Sequence, residues 1–250
     1  MVDTHCHLDS CKAPTSEVVE RARAAGVRRL ATVGMHDESI EAALAAAREF
    51  DEVVAIVGRH PHYTEGFGGA DLEAIERAAA NPRARAIGET GLDYFRDNAP
   101  REDQRRAFEA QIDLAARAKL PLVIHTRDAE EDTFALLRER AEGVTVVLHC
   151  FSAPARVGEC VERGYMCSFA GNVTYPKATE LQAAARDVPE ELLLVETDSP
   201  YLAPQPMRGK PNEPANVVET ARFVAELRGV PYAELDAAVE RNAARVFGDW

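Results

Sequence analysis

The chain has 250 residues, 46% of them hydrophobic, and its formal net charge is −13 at pH 7. This length suits one large domain or two small ones, and the hydrophobic content is sufficient for a sizeable core. The negative charge argues against a protein that binds nucleic acid through a broad basic face. It does not exclude an enzyme that contacts phosphates through metal ions.

The cysteines and the N-terminal residues indicate the compartment. Five cysteines cannot all pair and show no zinc-finger spacing, which is typical of reduced thiols in the cytoplasm. Residues 1–10 lack the basic and apolar regions of a signal peptide, and no apolar run approaches the length of a membrane span. We therefore expect a cytoplasmic protein with no membrane partner and no evident obligate protein partner.

Short apolar runs alternate along the chain with segments of helical periodicity. The predicted strands are Val2–His7, Arg29–Gly34, Val53–Gly58, Ala84–Glu89, Pro121–His125, Thr145–His149, Tyr165–Ala170 and Leu192–Asp198. The clearest helical patterns between and after them are Thr15–Ala25, Ser39–Phe50, Arg101–Lys119, Ala215–Arg228 and Tyr232–Phe247. A Pro-rich loop, Pro200–Pro214, follows the last strand.

The strand pattern predicts the fold. Several strands, such as Leu122–Ile124, are continuous apolar runs, which is typical of parallel strands covered on both faces. Eight alternations of strand and helix without a linker predict a (β/α)₈ TIM barrel with an extra C-terminal helix, as one domain over residues 1–250. The alternative is a doubly wound open sheet, which would normally carry a Gly-rich phosphate loop after its first strand, unlike His5–Asp9.

Metal-binding residue types recur at the carboxyl ends of the predicted strands, which converge on one rim of a barrel. His5 and His7 lie two apart on one strand, so both imidazoles face the same side. The complete set of candidate metal ligands is His5, His7, Glu89, His125, His149 and Asp198.

This set suits two divalent ions better than one. Nitrogen and carboxylate ligands favour Zn²⁺, Mn²⁺ or Mg²⁺, and six ligands are too many for one catalytic zinc, which leaves a position open for water. Glu89 is the best candidate for a shared ligand, because its strand lies between those of His5 and His125.

Taken singly, these residues have simpler interpretations. His125 or His149 alone is more often a hydrogen-bonded core histidine, and Asp198 alone could cap a turn. Their common position at strand ends favours a metal site. Cys6 and Cys150 each adjoin a ligand, and we interpret them as packing residues that strand alternation turns away from it.

A series of motifs resembles a known family. They are Val-Asp-Thr-His-Cys-His-Leu-Asp at 2–9, Gly-Arg-His-Pro-His at 58–62, Gly-Glu-Thr-Gly-Leu-Asp-Tyr at 88–94, His-Thr-Arg-Asp-Ala at 125–129, His-Cys-Phe-Ser at 149–152, Glu-Thr-Asp-Ser-Pro-Tyr-Leu at 196–202, Arg-Gly-Lys-Pro-Asn-Glu-Pro at 208–214 and Arg-Asn-Ala-Ala-Arg-Val-Phe at 241–247. In order and over essentially the whole chain, they resemble the TatD family of metal-dependent deoxyribonucleases.

The resemblance implies an amidohydrolase-type TIM barrel that hydrolyses DNA phosphodiesters, often as a 3′–5′ exonuclease. It also implies how the ligands divide: His5, His7, Glu89 and Asp198 would hold one metal, and Glu89, His125 and His149 the other. Some relatives in this family are linked to RNA or to aminoacyl-tRNA proofreading.

Three positions depart from the family pattern. Arg59 replaces an aliphatic residue, Ala153 replaces a glycine, and Pro211 replaces a basic residue. None is a candidate ligand, so these departures concern substrate contacts more than the metal centre.

The expected mechanism is attack on phosphorus by a metal-activated water. Asp198 is the candidate to orient that water and accept its proton, and Glu89 to hold both metals. His62, more than His60, is the candidate to contact the scissile phosphate or protonate the leaving oxygen; the alternative is a loop histidine that holds the backbone. The further candidate substrate contacts are Arg127, Arg208 and Lys210 for phosphates and Tyr94, Phe95 and Tyr201 for bases.

An acidic enzyme should favour the end of a single strand of DNA, threaded into a narrow pocket, over wrapped duplex, which predicts an exonuclease. Two alternatives stay open. One is a hydrolase of a small ester, amide or phosphoester or of an aminoacyl-tRNA, although such barrels often have a modified lysine where Glu89 stands. The other is a non-catalytic metal-binding platform.

Overall fold

The computed structural model describes residues 1–248. Within that range the strands are β1 (Val2–Cys6), β2 (Arg29–Gly34), β3 (Val53–Val57), β4 (Ala84–Asp93), β5 (Leu122–Arg127), β6 (Val146–Leu148), β7 (Met166–Phe169) and β8 (Leu193–Val195). Each strand pairs in parallel with the next along the chain, in the order β1 to β8. The (β/α)₈ barrel is therefore confirmed, and the doubly wound sheet, whose strand order reverses, is wrong.

Helices connect the strands and cover the outside of the barrel. Within the described residues they are α1 (Thr15–Ala24), α2 (Asp37–Glu49), α3 (Gly69–Ala79), α4 (Arg101–Ala118), α5 (Glu130–Arg140), α6 (Val157–Arg163), α7 (Thr179–Asp187), α8 (Val217–Arg228) and α9 (Tyr232–Phe247). Both helices predicted after the last strand are present. No helix in residues 1–248 combines the length and apolar character that a membrane span requires.

The strands are buried on both faces, as their continuous apolar runs predict. Val53–Val57 in β3 is inaccessible along its whole length, and Phe108 of α4 and Phe134 of α5 are fully buried in the surrounding layer. Burial of one such large apolar side chain stabilises the fold by about 1.5–3 kcal/mol. This packing holds the carboxyl ends of the strands, which we call the C-terminal rim, in fixed positions.

Strand β4 is longer than the pattern predicts. It continues past Glu89 to Asp93, because its second half pairs with β5 up to the register of Asp93 with Arg127. The pairing is close: Gly91 has a φ of +136°, and a Cβ there would lie 1.9 Å from the carbonyl oxygen of His125. Both Glu89 and Asp93 therefore belong to one rigid strand.

Strands β6 and β8 are shorter than predicted. β6 ends at Leu148, so His149 lies just beyond it, and β8 ends at Val195, three residues before Asp198. Asp198 has a φ of +51° and has left the strand geometry. The chain turns there because its backbone pairs with β1 instead of β7.

The last strand meets the first through that turn. The amide of Asp198 donates to the carbonyl oxygen of His5 at 2.9 Å, and the amide of His7 donates to that of Ser199 at 2.8 Å. The hydroxyl of Thr4 also donates to the carbonyl oxygen of Val195 at 2.9 Å. We call this β1–β8 contact the seam, and candidate metal ligands from both ends of the chain lie on it.

Asp3 lies at the seam and gives a pH-dependent prediction. Burial raises the pKa of Asp3 to about 8, against hydrogen bonds from Thr197 that lower it. Between about pH 4 and pH 8 the folded chain keeps a proton on Asp3 that the unfolded chain has released. The free energy of unfolding therefore falls as pH rises through this range. Asp3→Asn should become more stable relative to the parent across that range, by up to about 1.4 kcal/mol per pH unit. Denaturant unfolding at several pH values measures the free energy of unfolding of both proteins. A difference between them that does not change with pH would contradict the prediction.

Candidate metal centre

The six predicted ligands meet at the C-terminal rim. They surround the floor of a cavity of about 730 Å³, and His5 lies buried just beneath it. Six of the seven histidines of the chain lie there, although they come from four separate strand ends. They are His5, His7, His60, His62, His125 and His149.

Glu89 lies between two sets of imidazoles, and each of its oxygens faces one set. Oε2 is 3.3 Å from His5 Nε2 and 4.0 Å from His7 Nε2. Oε1 is 3.0 Å from His125 Nδ1, 3.3 Å from His149 Nε2 and 3.4 Å from His60 Nε2. One buried carboxylate thus divides its two oxygens between two groups of nitrogen donors.

Asp198 adds a second carboxylate on the side of His5 and His7. Its Oδ1 lies 3.4 Å from His7 Nε2 and 3.9 Å from His5 Nε2. His5 Nε2 is buried and has no hydrogen-bond partner among the described residues. A buried polar atom without a partner is costly to the fold, and a bound metal ion would satisfy it. The residues present therefore fit a divalent ion.

The ionisation of the site favours cation binding. Burial opposes the charged form of Glu89, but the imidazoles of His149, His60 and His125 outweigh it and hold the pKa of Glu89 well below its usual range. Burial likewise opposes the cation of His149, but the carboxylates of Glu196 and Glu89 raise the pKa of His149 well above its usual range. A divalent ion competes for the same negative charge, so metal binding should release protons from the site.

His60 has a role that differs from that of the other imidazoles. Its Nδ1 accepts a hydrogen bond from the amide of His62 at 3.1 Å, and burial lowers the pKa of His60 to about 4. The ring is therefore neutral near pH 7, with its hydrogen on Nε2, which faces Glu89. In this tautomer His60 donates to the carboxylate and orients it, and offers no free lone pair to a metal.

The sequence analysis missed two buried carboxylates that hold the histidines. Asp93 Oδ2 lies 2.8 Å from His62 Nε2 and 3.1 Å from His125 Nε2. Glu196 Oε1 lies 2.8 Å from His149 Nδ1 and accepts a hydrogen bond from the amide of Cys150. Carboxylates that hold the far nitrogen of a metal-binding histidine fix its tautomer and direction. Their signal was present in the motifs, four residues after Glu89 and two residues before Asp198.

The predicted substrate contacts fall into two groups. His60, His62, Arg127 and Tyr201 line the cavity, as does Tyr63, which the sequence analysis did not select. The others lie outside the cavity lining found within residues 1–248: the Tyr94 hydroxyl donates to Asp132, the Arg208 guanidinium stacks on Tyr175, and Lys210 follows in the same exposed loop.

Cys150 and Arg59 differ from their sequence interpretations. Cys150 does not turn away from the site: it has a φ of +43° and lines the cavity beside His149. Cys6 is buried behind β1, with its thiol 3.5 Å from the carbonyl oxygen of Ala31. Arg59, one of the departures from the family pattern, pairs with Asp37 and Asp71, at 2.7 and 3.2 Å, and so ties the end of β3 to two helices.

Replacement of Glu196 by glutamine tests its effect on His149. The amide cannot supply the negative charge that faces His149 Nδ1, so we expect affinity for divalent metal to fall about 10–100-fold. Competition with a chelator of known affinity measures this. Glu162→Gln, an exposed carboxylate on α6, is the matched control. Unchanged affinity in Glu196→Gln would contradict this role.

Comparison with known proteins places this geometry in a family. The family model described as TatD related DNase matches residues 2–248. The chain belongs to the TatD family. A metal-dependent hydrolase of Bacillus subtilis strain 168, YabD, is 39% identical over 251 residues, which cover 99% of this chain and 98% of that protein. It is named as uncharacterized, as is the Mycobacterium tuberculosis protein TatD, which is 41% identical over 258 residues, 99% of this chain and 98% of that one.

Other TatD relatives carry a more specific name or a solved structure. The Escherichia fergusonii protein named 3′-5′ ssDNA/RNA exonuclease TatD is 37% identical over 239 residues, 93% of this chain and 92% of that protein. The crystal structure of the TatD homologue YjjV from Escherichia coli K12 superposes with a TM-score of 0.93 at 29% identity, over 100% of this chain and 98% of that one. The protein is therefore a metal-dependent hydrolase with the TatD barrel.

Proposed function

We propose that the protein is a nuclease that uses two divalent metal ions to remove nucleotides from the 3′ ends of single-stranded DNA. The observation that carries the proposal is the division of the two Glu89 oxygens between two sets of imidazoles. His5, His7, Glu89 and Asp198 would hold one ion, and Glu89, His125 and His149 the other. The ions, Zn²⁺, Mn²⁺ or Mg²⁺, would supply charge neutralisation at the phosphate and lower the pKa of water.

The residues around this centre account for the movement of protons. Water oxygen forms a new bond to phosphorus while the bond from phosphorus to the 3′ oxygen of the preceding nucleotide breaks. Asp198 accepts the proton of the attacking water, because burial raises its pKa less than His7, His149 and His5 lower it, and it stays ionised. His62 lines the cavity and can donate a proton to the leaving oxygen, while Asp93 holds its Nε2 at 2.8 Å.

Two features support a single-stranded end as the substrate. The candidate ligands lie at the floor of a cavity that residues at or after the ends of all eight strands line, which suits an extended strand better than a duplex. The net charge of −13 disfavours a broad contact with duplex DNA. The relatives named as exonucleases support the same substrate class. All five cysteines are free thiols, which supports action in the cytoplasm.

The test combines metal analysis with substrate comparison. Elemental analysis of the purified protein should find up to two divalent ions per chain, and chelation should abolish cleavage of 5′-labelled single-stranded DNA until Zn²⁺, Mn²⁺ or Mg²⁺ is restored. We expect a ladder that shortens from the 3′ end, with RNA and a panel of small esters and amides assayed in parallel. Rapid nicking of closed circular plasmid would contradict the exonuclease, and activity on the small esters alone would favour the small-molecule hydrolase.

A further inference from the structure

Two arginines on neighbouring strand ends lie beside the cavity and have no acidic partner. Arg96 follows β4 and Arg127 ends β5, both are exposed, and both line the cavity. No carboxylate in the described part of the chain forms an ion pair with either of them. Arginines on the outer helices, such as the exposed Arg138 and the half-buried Arg140, do pair with carboxylates. Among the described residues that line the cavity, these two are the cationic side chains other than histidine, and no carboxylate occupies their donors.

The ring of Phe95 holds these guanidinium groups. The Arg127 Cζ lies 3.8 Å from the ring centroid and the Arg96 Cζ lies 5.7 Å from it, while Phe95 itself is 54% exposed. A guanidinium stacked flat on a ring keeps its N–H groups directed outward in its own plane. Those N–H groups are then available to the oxygens of a phosphate.

The backbone fixes this pair relative to the metal centre. Asp93 and Arg127 are partners in the β4–β5 register, and the amide of Tyr94 donates to the carbonyl oxygen of Arg127 at 2.9 Å. Asp93 Oδ1 accepts hydrogen bonds from the amides of Phe95 and Arg96, at 3.0 and 2.8 Å. The carboxylate whose other oxygen lies beside His62 and His125 therefore also positions the loop that carries Phe95 and Arg96.

The opposite side of the cavity has a different character. Tyr201 lines it there and is 53% exposed. It follows β8, which lies across the barrel from β4 and β5. That side thus offers an aromatic face, which suits a terminal base, and the other offers unpaired cations, which suit a chain of phosphates.

On the basis of the proposed nuclease function, we infer that Arg96 and Arg127 form a phosphate subsite for the part of a single strand that continues away from the cleaved bond. Phe95 is a positioning residue that acts through Arg127. The nucleotide to be removed lies on the side of Tyr201. The subsite gives the enzyme affinity for long strands without requiring a basic surface elsewhere.

The test compares a long single strand with a dinucleotide that has no terminal phosphate and so carries no phosphate beyond the one at the cleaved bond. In Arg127→Gln and in Arg96→Gln, the ratio of kcat/KM for the long strand to that for the dinucleotide should fall about tenfold. Fluorescence anisotropy with the metal-loaded protein and a phosphorothioate-linked strand that resists cleavage measures affinity separately. The slope of log affinity against log salt should decrease in magnitude by about 0.7 for each lost phosphate contact.

Matched variants separate the subsite from a general loss of charge. Arg222→Gln removes an exposed arginine that stacks on Tyr232 on the outer surface, and it should leave both the ratio and the salt slope unchanged. Phe95→Tyr should bind as the parent does, whereas Phe95→Leu should weaken binding of the long strand. Adding Phe95→Leu to Arg127→Gln should weaken it little further, because the ring acts through that guanidinium.

The outcomes distinguish this inference from the proposed function. The subsite would be overturned if both arginine variants bound the long strand with the affinity and salt slope of the parent. It would also be overturned if kcat/KM fell equally for the dinucleotide and the long strand. A parent protein that binds the strand but cleaves none would contradict the nuclease function and leave the subsite standing. A parent protein that neither binds nor cleaves would overturn both.

Discussion

Glu89→Gln should lower kcat/KM on single-stranded DNA by at least about a thousandfold and remove at least one divalent ion per chain. Both Glu89 oxygens face imidazoles within 3.0–4.0 Å, in two separate sets. Glutamine keeps the size of the side chain but loses its negative charge and gives one set an amide NH₂ instead of a ligand. Loss of one partner from a buried, charged cluster costs about 3–5 kcal/mol, and about 4 kcal/mol corresponds to a thousandfold change in rate.

The measurement is elemental analysis and steady-state kinetics on the same preparation, with circular dichroism to establish folding. Asp128→Asn is the matched control, because Asp128 is an exposed carboxylate at the same rim whose φ of +52° asparagine tolerates. The control should keep both metal content and rate. Full metal content together with undiminished turnover in Glu89→Gln would show that no ion depends on this carboxylate.

Gly91→Ala should lower the free energy of unfolding by about 3–5 kcal/mol. The new Cβ would lie 1.9 Å from the carbonyl oxygen of His125, and the φ of +136° is unfavourable for any residue with a Cβ. To relieve the contact, β4 and β5 must separate at the register that holds Glu89, Asp93 and His125. We therefore expect folded Gly91→Ala to bind divalent metal more weakly than the parent as well.

Denaturant unfolding followed by circular dichroism checks the stability change, with and without added metal. Gly158→Ala on α6 is the control, since a Cβ at Gly158 would meet no neighbouring atom within 4 Å and its φ is not left-handed. Alanine there should be neutral or raise stability by about 0.5–1 kcal/mol. Equal stabilities for Gly91→Ala and the parent would mean that β4 and β5 are further apart than described.

The barrel and the convergence of the six candidate ligands were predictable from local signals. Runs such as Leu122–Ile124 mark buried parallel strands, and a residue at the end of such a strand can face only one rim of a barrel. Strand order then follows from short connections between neighbouring elements. The prediction that His5 and His7 meet Glu89 and Asp198 needed no knowledge of side-chain contacts.

The residues that hold the ligands were harder to predict. Asp93 reaches His62 and His125 only because β4 continues past Glu89, and that extension depends on Gly91 permitting a close approach to β5. Glu196 lies in a buried segment after β8, where sequence alone does not distinguish a partner of His149 from a turn residue. Tyr94 and Tyr201 both follow strand ends, but loop geometry turns only Tyr201 into the cavity. The hydrophobic periodicity of the sequence thus did not predict the contacts that loop residues make.

The seam between β1 and β8 determines when the centre can exist during synthesis. His5 leaves the ribosome early, but its backbone partner Asp198 and the carboxylate that completes its ligand set emerge only after most of the barrel has been made. A chain that stops before β8 therefore lacks the backbone partner of β1 and the Asp198 carboxylate that faces His5. The backbone contacts that close the barrel and the carboxylate beside His5 and His7 thus come from the last part of the chain to be made.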